Sequence, residues 1–461
     1  MNHNEPIRDA RKLGWPKMLI LGLQHMFAMF GATVLVPILV QSYGLPLSIQ
    51  STLFFAGIGT LFFHVCTKMK VPAFLGSSFA YLGGFLAMAS LNTGKYATMA
   101  AGEKLQYACG GIVVAGLLYV VLAGIIKLVG VKKVMRFLPP VVTGPMIILI
   151  GLSLAPSAVS NASSCWWLAV LSIAVIVAAN IWGKGMIKII PILLGVVVPY
   201  LVAILANAMG ATALDSTGAV VPLMDFSTVA QSQLLGFQPF ITDFGGSVAK
   251  FDLTCVLVMA PIAVAAMMEH IGDVSAISAT VGENFIEDPG LHRTLIGDGI
   301  ATSLAGLFGG PANTTYGENT GVLVLSRVYD PKVVRLAAIY AVVLSFSPAF
   351  AALVNSIPTA IIGGVSFILY GMISAIGVRN VVENRVDFTN SRNLIIAAII
   401  LVCGLGFSNG ITFSVLDAHV TLTSLAIAAI AGIVLNGILP GKDYEFGVDV
   451  TEGRSGDMGR Y

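Results

Sequence analysis

A few ionisable side chains stand where an apolar chain has little room for them. Glu269, His270 and Asp273 lie in one apolar run, AMMEHIGDVSA; Glu318 and Asn319 follow NTTYG, and His25 lies in LGLQHMFAMFG. Glu269 and Asp273 are four residues apart, which on a helix puts them on one face. An acidic side chain at mid-membrane costs roughly 2.5–3.5 kcal/mol by insertion scales. Three carboxylates at that depth therefore need partners or a wet cavity. A lone one reads readily as a buried tie between helices, whereas carboxylates converging from two stretches read as a site. His25 reads equally as a core hydrogen-bonding residue and as part of a proton relay.

Carboxylates only accept hydrogen bonds when ionised, so such a site favours a ligand offering N–H donors, or a cation. A neutral planar nucleobase such as uracil offers two N–H donors and two carbonyl acceptors. Glu269 and Glu318 would accept from the N–H groups, and free backbone N–H groups near Phe79 and Gly317 would donate to the carbonyls. Anionic substrates would be repelled unless the carboxylates carried protons. Neighbouring carboxylates away from water hold one shared proton more readily than two charges. Asp273, alone or with Glu269 and His270, is then the candidate for coupling proton uptake to substrate; the other reading is that it only orients its neighbours. His25 is the next candidate.

The elements that must position these residues are membrane spans. Of the 461 residues 56% are hydrophobic and 10% charged, where soluble domains carry about 25% charged residues. Apolar runs recur near 17–41, 47–67, 72–91, 104–129, 134–155, 163–182, 186–208, 251–281, 292–309, 313–328, 333–354, 358–378, 391–408 and 415–439, which predicts fourteen spans. The first run is too long for a signal-peptide core and is expected to remain as a span. With both termini cytoplasmic, all but three of the 25 Lys and Arg fall on the cytoplasmic side, as the positive-inside tendency requires. The exceptions are Lys95, Lys104 and Lys250. A net charge of +2, spread in short clusters, excludes nucleic acid as a partner. The five cysteines, Cys66, Cys109, Cys165, Cys255 and Cys403, have no metal-ligand spacing and read as packing residues. No nucleophile and base pair, metal set or phosphate loop points to an enzyme.

The second half echoes the first. LGLQHMFAMFG from Leu21 is answered by AMMEHIGDVSA, GIGT at Gly57 by GDGI at Gly297, PAFLGSSFA from Pro72 by PANTTYGEN from Pro311, and LPPVVTG from Leu138 by IPTAIIG from Ile357. Seven spans per copy, an odd number, would make the repeats inverted, an architecture that holds substrate at the midplane between discontinuous helices. Spans 3 and 10 are the candidates for the broken pair. Each opens on Pro, then small polar residues (Gly76, Ser77, Ser78; Asn313, Thr314, Thr315), then an aromatic (Phe79; Tyr316). Read by hydropathy alone they are also consistent with polar surface loops; their matched positions favour breaks lining a central cavity.

These stretches, with LQHMFAMFGATVLVP from Leu23, DPGLHR from Asp288, ILYG from Ile368 and NTTYGENTGVLVLSR from Asn313, resemble the nucleobase/ascorbate transporter family over nearly the whole chain, its bacterial uracil permease branch most of all. The segment Glu318–Arg327, with Asn319 and Gly321, matches the family signature, except that Ser326 replaces the usual Thr. The resemblance implies an all-α polytopic membrane protein of fourteen segments in two inverted repeats of seven, with short extended breaks in spans 3 and 10. It implies a cytoplasmic N-terminus over 1–16, a core domain over 17–130 and 251–355, a gate domain over 131–208 and 356–440, an extracellular loop over 209–250 and a cytoplasmic tail over 441–461. It implies a homodimer in the cell inner membrane that imports a nucleobase with a co-transported proton, amid membrane lipid and with no other cofactor. Residues matching Glu269 and Glu318 bind the base in such proteins, as do backbone groups beside Phe79 and Gly317. Ala32, Ser78, Tyr316 and Tyr370 match positions around it. Uracil members close to this pattern often carry His where Asp273 stands, and purine members often carry Asp there but Gln where Glu318 stands. The pattern favours uracil, with xanthine or another purine as the alternative.

Overall fold

The computed structural model describes residues 6–92, 94–130, 133–134, 136, 138–214, 218–236, 248–407, 410–415 and 418–441. The cytoplasmic tail expected over 441–461 lies, beyond Gly441, outside the described residues, as do parts of the extracellular loop expected over 209–250. The main helices are α1 (Trp15–Ser42), α2 (Ile49–Cys66), α3 (Leu82–Ser90), α4 (Ala101–Val129), α5 (Pro140–Ala162), α6 (Trp166–Ile181), α7 (Pro191–Ala208) and α8 (Leu253–Met259). They continue with α9 (Ile262–Val281), α10 (Leu291–Leu307), α11 (Gly317–Ser326), α12 (Pro331–Ser345), α13 (Pro348–Asn355), α14 (Thr359–Glu383), α15 (Ser391–Gly406) and α16 (Ser424–Ile438). Among the described residues seven helical segments are long and apolar enough to cross a membrane, and the pair α12–α13, bent by 89°, makes an eighth. The fold is a mostly helical, polytopic membrane fold.

Sequence chemistry sets many of the boundaries. Pro stands in the first turn of α1, α5, α7, α12 and α13, where its missing N–H is no loss. Ser48, Asp330 and Asn390 cap α2, α12 and α15 with side-chain acceptors, and Gly282 ends α9 in the left-handed conformation. All four tryptophans, Trp15, Trp166, Trp167 and Trp182, are exposed at helix ends, the usual place of an aromatic belt at a membrane surface.

The expected breaks are present. In place of continuous helices, β1 (Leu75–Ser77) and β4 (Asn313–Thr315) form an antiparallel ladder, Leu75 opposite Thr315 and Ser77 opposite Asn313. All six residues are buried, and extended backbone at that depth must find partners within the protein. The ladder supplies some. Ser78 N–H to the Ala312 carbonyl (2.8 Å) and Tyr316 N–H to the Phe74 carbonyl (3.0 Å) extend it. Threonines on neighbouring helices supply the rest: Thr60 of α2 accepts from Leu75 N–H (2.8 Å) and Thr302 of α10 from Asn313 N–H (3.1 Å). A side chain at Gly76 would enter the Tyr316 ring.

Two further ladders qualify the all-α expectation: β2 (Thr212–Leu214) with β3 (Val220–Pro222), and β5 (Ile411–Val415) with β6 (Ala418–Leu422). The last corrects the predicted span 415–439. Its first residues are strand, as the β-branched residues of ITFSV and AHVTL favour, and the helix begins only at Ser424. The predicted span from 134 likewise starts late, at Pro140.

The densest packing divides the helices into two groups. In one, α4 lies on α10, and α2 on α10 and α12, with α1 on α12; in the other, α5 lies on α14, α6 on α7 and α14, and α15 on α16. Both use small residues for close approach: Gly299 meets the Gly116 carbonyl, and Gly377 the Gly144 carbonyl. α9 touches α5 and α16 across the seam between the groups. The three exceptional lysines are all engaged at one end of the molecule. Lys95 pairs with Asp252 (2.8 Å) and lies 4.0 Å over the Tyr107 ring. Lys250 pairs with Glu103, and Lys104 donates to the carbonyls of Ala89 and Leu91 at the end of α3. The cysteines are free thiols, Cys109, Cys165 and Cys255 buried and the other two half-buried.

Candidate functional site

The ladder places two uncapped half-helix starts near mid-protein. β1 leads through the single turn Phe79–Tyr81 into α3, and β4 leads directly into α11. Neither Ser78 nor Tyr316, the residues before these turns, caps them with its side chain, so their first N–H groups are not used by the helices they begin. Antiparallel pairing sets the two starts beyond opposite ends of the three-residue ladder.

Three carboxylates converge here. Glu269 and Asp273 lie on one face of α9 and are half-buried, and Glu318, in the first turn of α11, is half-buried too. A helix start favours negative charge. Asp273 is fixed from the ladder, its Oδ2 accepting from the Thr315 hydroxyl at 2.8 Å. Its other oxygen lies beside Gly317, which is exposed, so backbone and carboxylates share one accessible surface.

His270 turns the other way. One residue along a helix is about 100° of rotation, and its fully buried ring bonds Asp298 of α10 (Nδ1 to Oδ2, 2.8 Å). Phe63 and Tyr119 meet that ring edge-on. The structure therefore brings Glu269, Asp273 and Glu318 together and sets His270 behind them. Asp298 is the residue that sequence reasoning missed. Its signal was present in GDGI, an acidic residue in an apolar run, read there only as an echo of GIGT.

His25 is fully buried on α1 and is joined to the signature helix: the Asn319 amide donates to its Nδ1 (3.2 Å) and to its backbone carbonyl (3.1 Å). Tyr316 serves the ladder, its hydroxyl donating to the Ser77 carbonyl at 2.9 Å, while the Ser77 hydroxyl donates to the Thr33 carbonyl of α1 at 2.8 Å. Ala32, Ser78, Phe79 and Tyr370 are buried, Tyr370 arriving from α14 of the second group. The Ser78 hydroxyl has no partner among the described residues. Gly321 is exposed on α11, and Arg327 ends that helix with φ 52°. The surface thus combines carboxylate acceptors, Asp273 held by Thr315, with the exposed backbone at Gly317.

A sequence model described as the Permease family matches residues 16–413. The uracil permease of Bacillus caldolyticus is 41% identical over 445 residues, 95% of this chain and 94% of that protein. The uracil permease of Bacillus subtilis (strain 168) is 38% identical over 431 residues, 91% of each. Among solved structures, the transmembrane domain of a cyanobacterium bicarbonate transporter, BicA, superposes with a TM-score of 0.62 at 17% identity, over 88% of this chain and 98% of that one; this likeness is one of fold alone. The chain is a permease, a multi-pass membrane transport protein rather than an enzyme, and it belongs to the nucleobase/ascorbate transporter family.

Proposed function

We propose that this permease imports uracil together with a proton across the cell inner membrane. The observation that carries the reading is the meeting of Glu269 and Glu318 beside two half-helix starts. Each carboxylate accepts one ring N–H of the base, and the backbone N–H groups beside Phe79 and Gly317 donate to its carbonyls. Relatives named uracil permease over nearly the whole chain support the choice of base. A purine such as xanthine is the alternative, favoured by Asp273. The anion-carrier reading open to this fold gives Glu269 and Glu318 no use.

In this mechanism Asp273 and Glu269 share one proton, which lowers the negative charge of the loaded site by one, and its departure on the cytoplasmic side releases the base. Asp298 and His270 hold α9 and α10 together behind the site. The architecture is read as fourteen spans in two inverted repeats with cytoplasmic termini, and as a homodimer. The group holding 17–130 and 251–355 is the core domain, and that holding 131–208 and 356–440 is the gate, moving past it in alternating access. The sixteen residues of α6 between Trp166 and Trp182, about 24 Å at 1.5 Å per residue, support counting shorter helices as spans.

Uptake of radiolabelled uracil into proteoliposomes, with xanthine as competitor at two pH values, tests the reading. Uracil uptake is expected to rise with an inward proton gradient and to resist xanthine; preferential inhibition by xanthine reverses the substrate assignment. Asp273→Asn is expected to keep uracil exchange between equilibrated compartments and lose gradient-driven accumulation. Normal accumulation by that variant moves the coupling to another group, His25 first.

A further inference from the structure

Chain termini are poorly ordered unless tied down, and the segment before α1 is tied down at several points. Ile7 bridges the chain beyond α11, its N–H donating to the Arg327 carbonyl and its carbonyl accepting from Tyr329 N–H, both at 2.9 Å. Arg8 reaches the end of α9: its guanidinium donates to the Val281 carbonyl at 3.1 Å and pairs with Glu283. Ala10 is fully buried and its N–H donates to Asp330 Oδ2 at 2.8 Å. Asp330 also caps α12 through Lys332 N–H, and Lys332 lies between Asp330 and Asp9. Two consecutive residues, Ile7 and Arg8, thus grip the ends of α11 and α9, Ala10 ties to the cap of α12, and the chain then enters α1, which carries His25 and Ala32.

The two gripped ends lie at matching depths below the carboxylates. Asp273 is eight residues from Val281 and Glu318 nine from Arg327, about 12 and 14 Å along their helices at 1.5 Å per residue. A ligand held between α9 and α11 feels their separation directly, and an error of about 1 Å in such positioning is costly.

We infer that Ile7–Ala10 is a positioning strap: by joining the ends of α9 and α11 it sets the distance from the carboxylates of α9, Asp273 the nearer to the strap and Glu269 one turn beyond, to Glu318, with Arg8 as the residue holding α9. None of its side chains touches the base. The inference rests on the carboxylate site of the proposed function.

The test uses the full-length chain with Arg8→Glu, which sets two like charges together. Uracil affinity by calorimetry is expected to weaken about fivefold, with uptake KM rising by a similar factor. The maximal rate per folded molecule stays within about twofold, and Arg8→Glu/Glu283→Arg restores both constants. If Arg8→Glu does not fold, Arg8→Gln, which removes the charge without adding repulsion, carries the same expectation. Unchanged affinity and KM, or a loss that the double reversal does not repair, overturns the strap. Glu318→Gln separates the two readings. If it binds uracil normally, the site reading falls and the strap with it; if it loses uracil while Arg8→Glu binds normally, the strap alone falls.

Discussion

At the scale of residues, the site is a problem of acceptors set within apolar spans. Glu318 sits in the first turn of α11, where the helix start stabilises its charge, and no basic side chain pairs with it among the described residues. Its acceptor capacity is thus left for a ligand. Glu318→Gln is expected to weaken uracil binding by more than about tenfold, because the amide can turn a donor toward a ring N–H; calorimetry on the purified variant checks this, and unchanged affinity removes Glu318 from the site. The carboxylates were legible in the sequence because each interrupts an apolar run. Asp298 was less so, since its partner His270 is 28 residues away and no local pattern joins them. Tyr316 was legible as an aromatic at the break, but not as the donor that closes the ladder on Ser77.

At the scale of elements, Pro72 and Pro311 announced the breaks, but spacing alone could not say that the two extended pieces pair with each other. That pairing crosses more than two hundred residues and follows from the need of buried backbone for partners. The sharp bend between α12 and α13 was also passed over in the predicted span 333–354, although Ser347-Pro348 carries the signal: Pro disfavours helix in the residue before it. At the membrane edge, Asp252 caps α8 through Cys255 N–H at 2.7 Å and accepts from Lys95 and Tyr96 at 2.8 Å. Its partial burial alone would raise its pKa, but these partners together bring it below the ordinary carboxylate value. Lys70 lowers Asp288 in the same sense, and the Thr389 hydroxyl and N–H lower Asp387. A carboxylate lowered on folding adds stability that is complete above its unfolded pKa, about 3.9, and fades as pH falls through the folded value. The melting temperature of the purified permease is therefore expected to decline on acidification below about pH 4, and Asp252→Asn to flatten that decline in part. An equal slope in wild type and variant would remove Asp252 from the acid response.

At the scale of the whole molecule, the question is which parts move. Close glycine and carbonyl contacts run within each helix group, Gly116 with Gly299 in one and Gly144 with Gly377 in the other, and such contacts do not slide without clashes. The seam between the groups is built differently. Val142, Thr143 and Met146 of α5, Val264, Ala265 and Met268 of α9, and Ala429 and Ile433 of α16 line one small crevice there, and these mainly apolar side chains form no interlocked polar network. α9 carries Glu269 and Asp273 on one side of that seam, so motion along it would change access to both carboxylates as one event. Cysteines at Val142 and Val264, in a background with Cys66 and Cys403 replaced, would bridge the seam from a position about 140° around α9 from Glu269. Closing that bridge by oxidation is expected to abolish net uracil uptake while leaving uracil binding within about threefold of the reduced protein, because the site survives and only its change of access is blocked. Reduction should restore uptake. Full uptake through a bridge verified by mass spectrometry would mean that the two groups carry substrate without moving past each other at this seam.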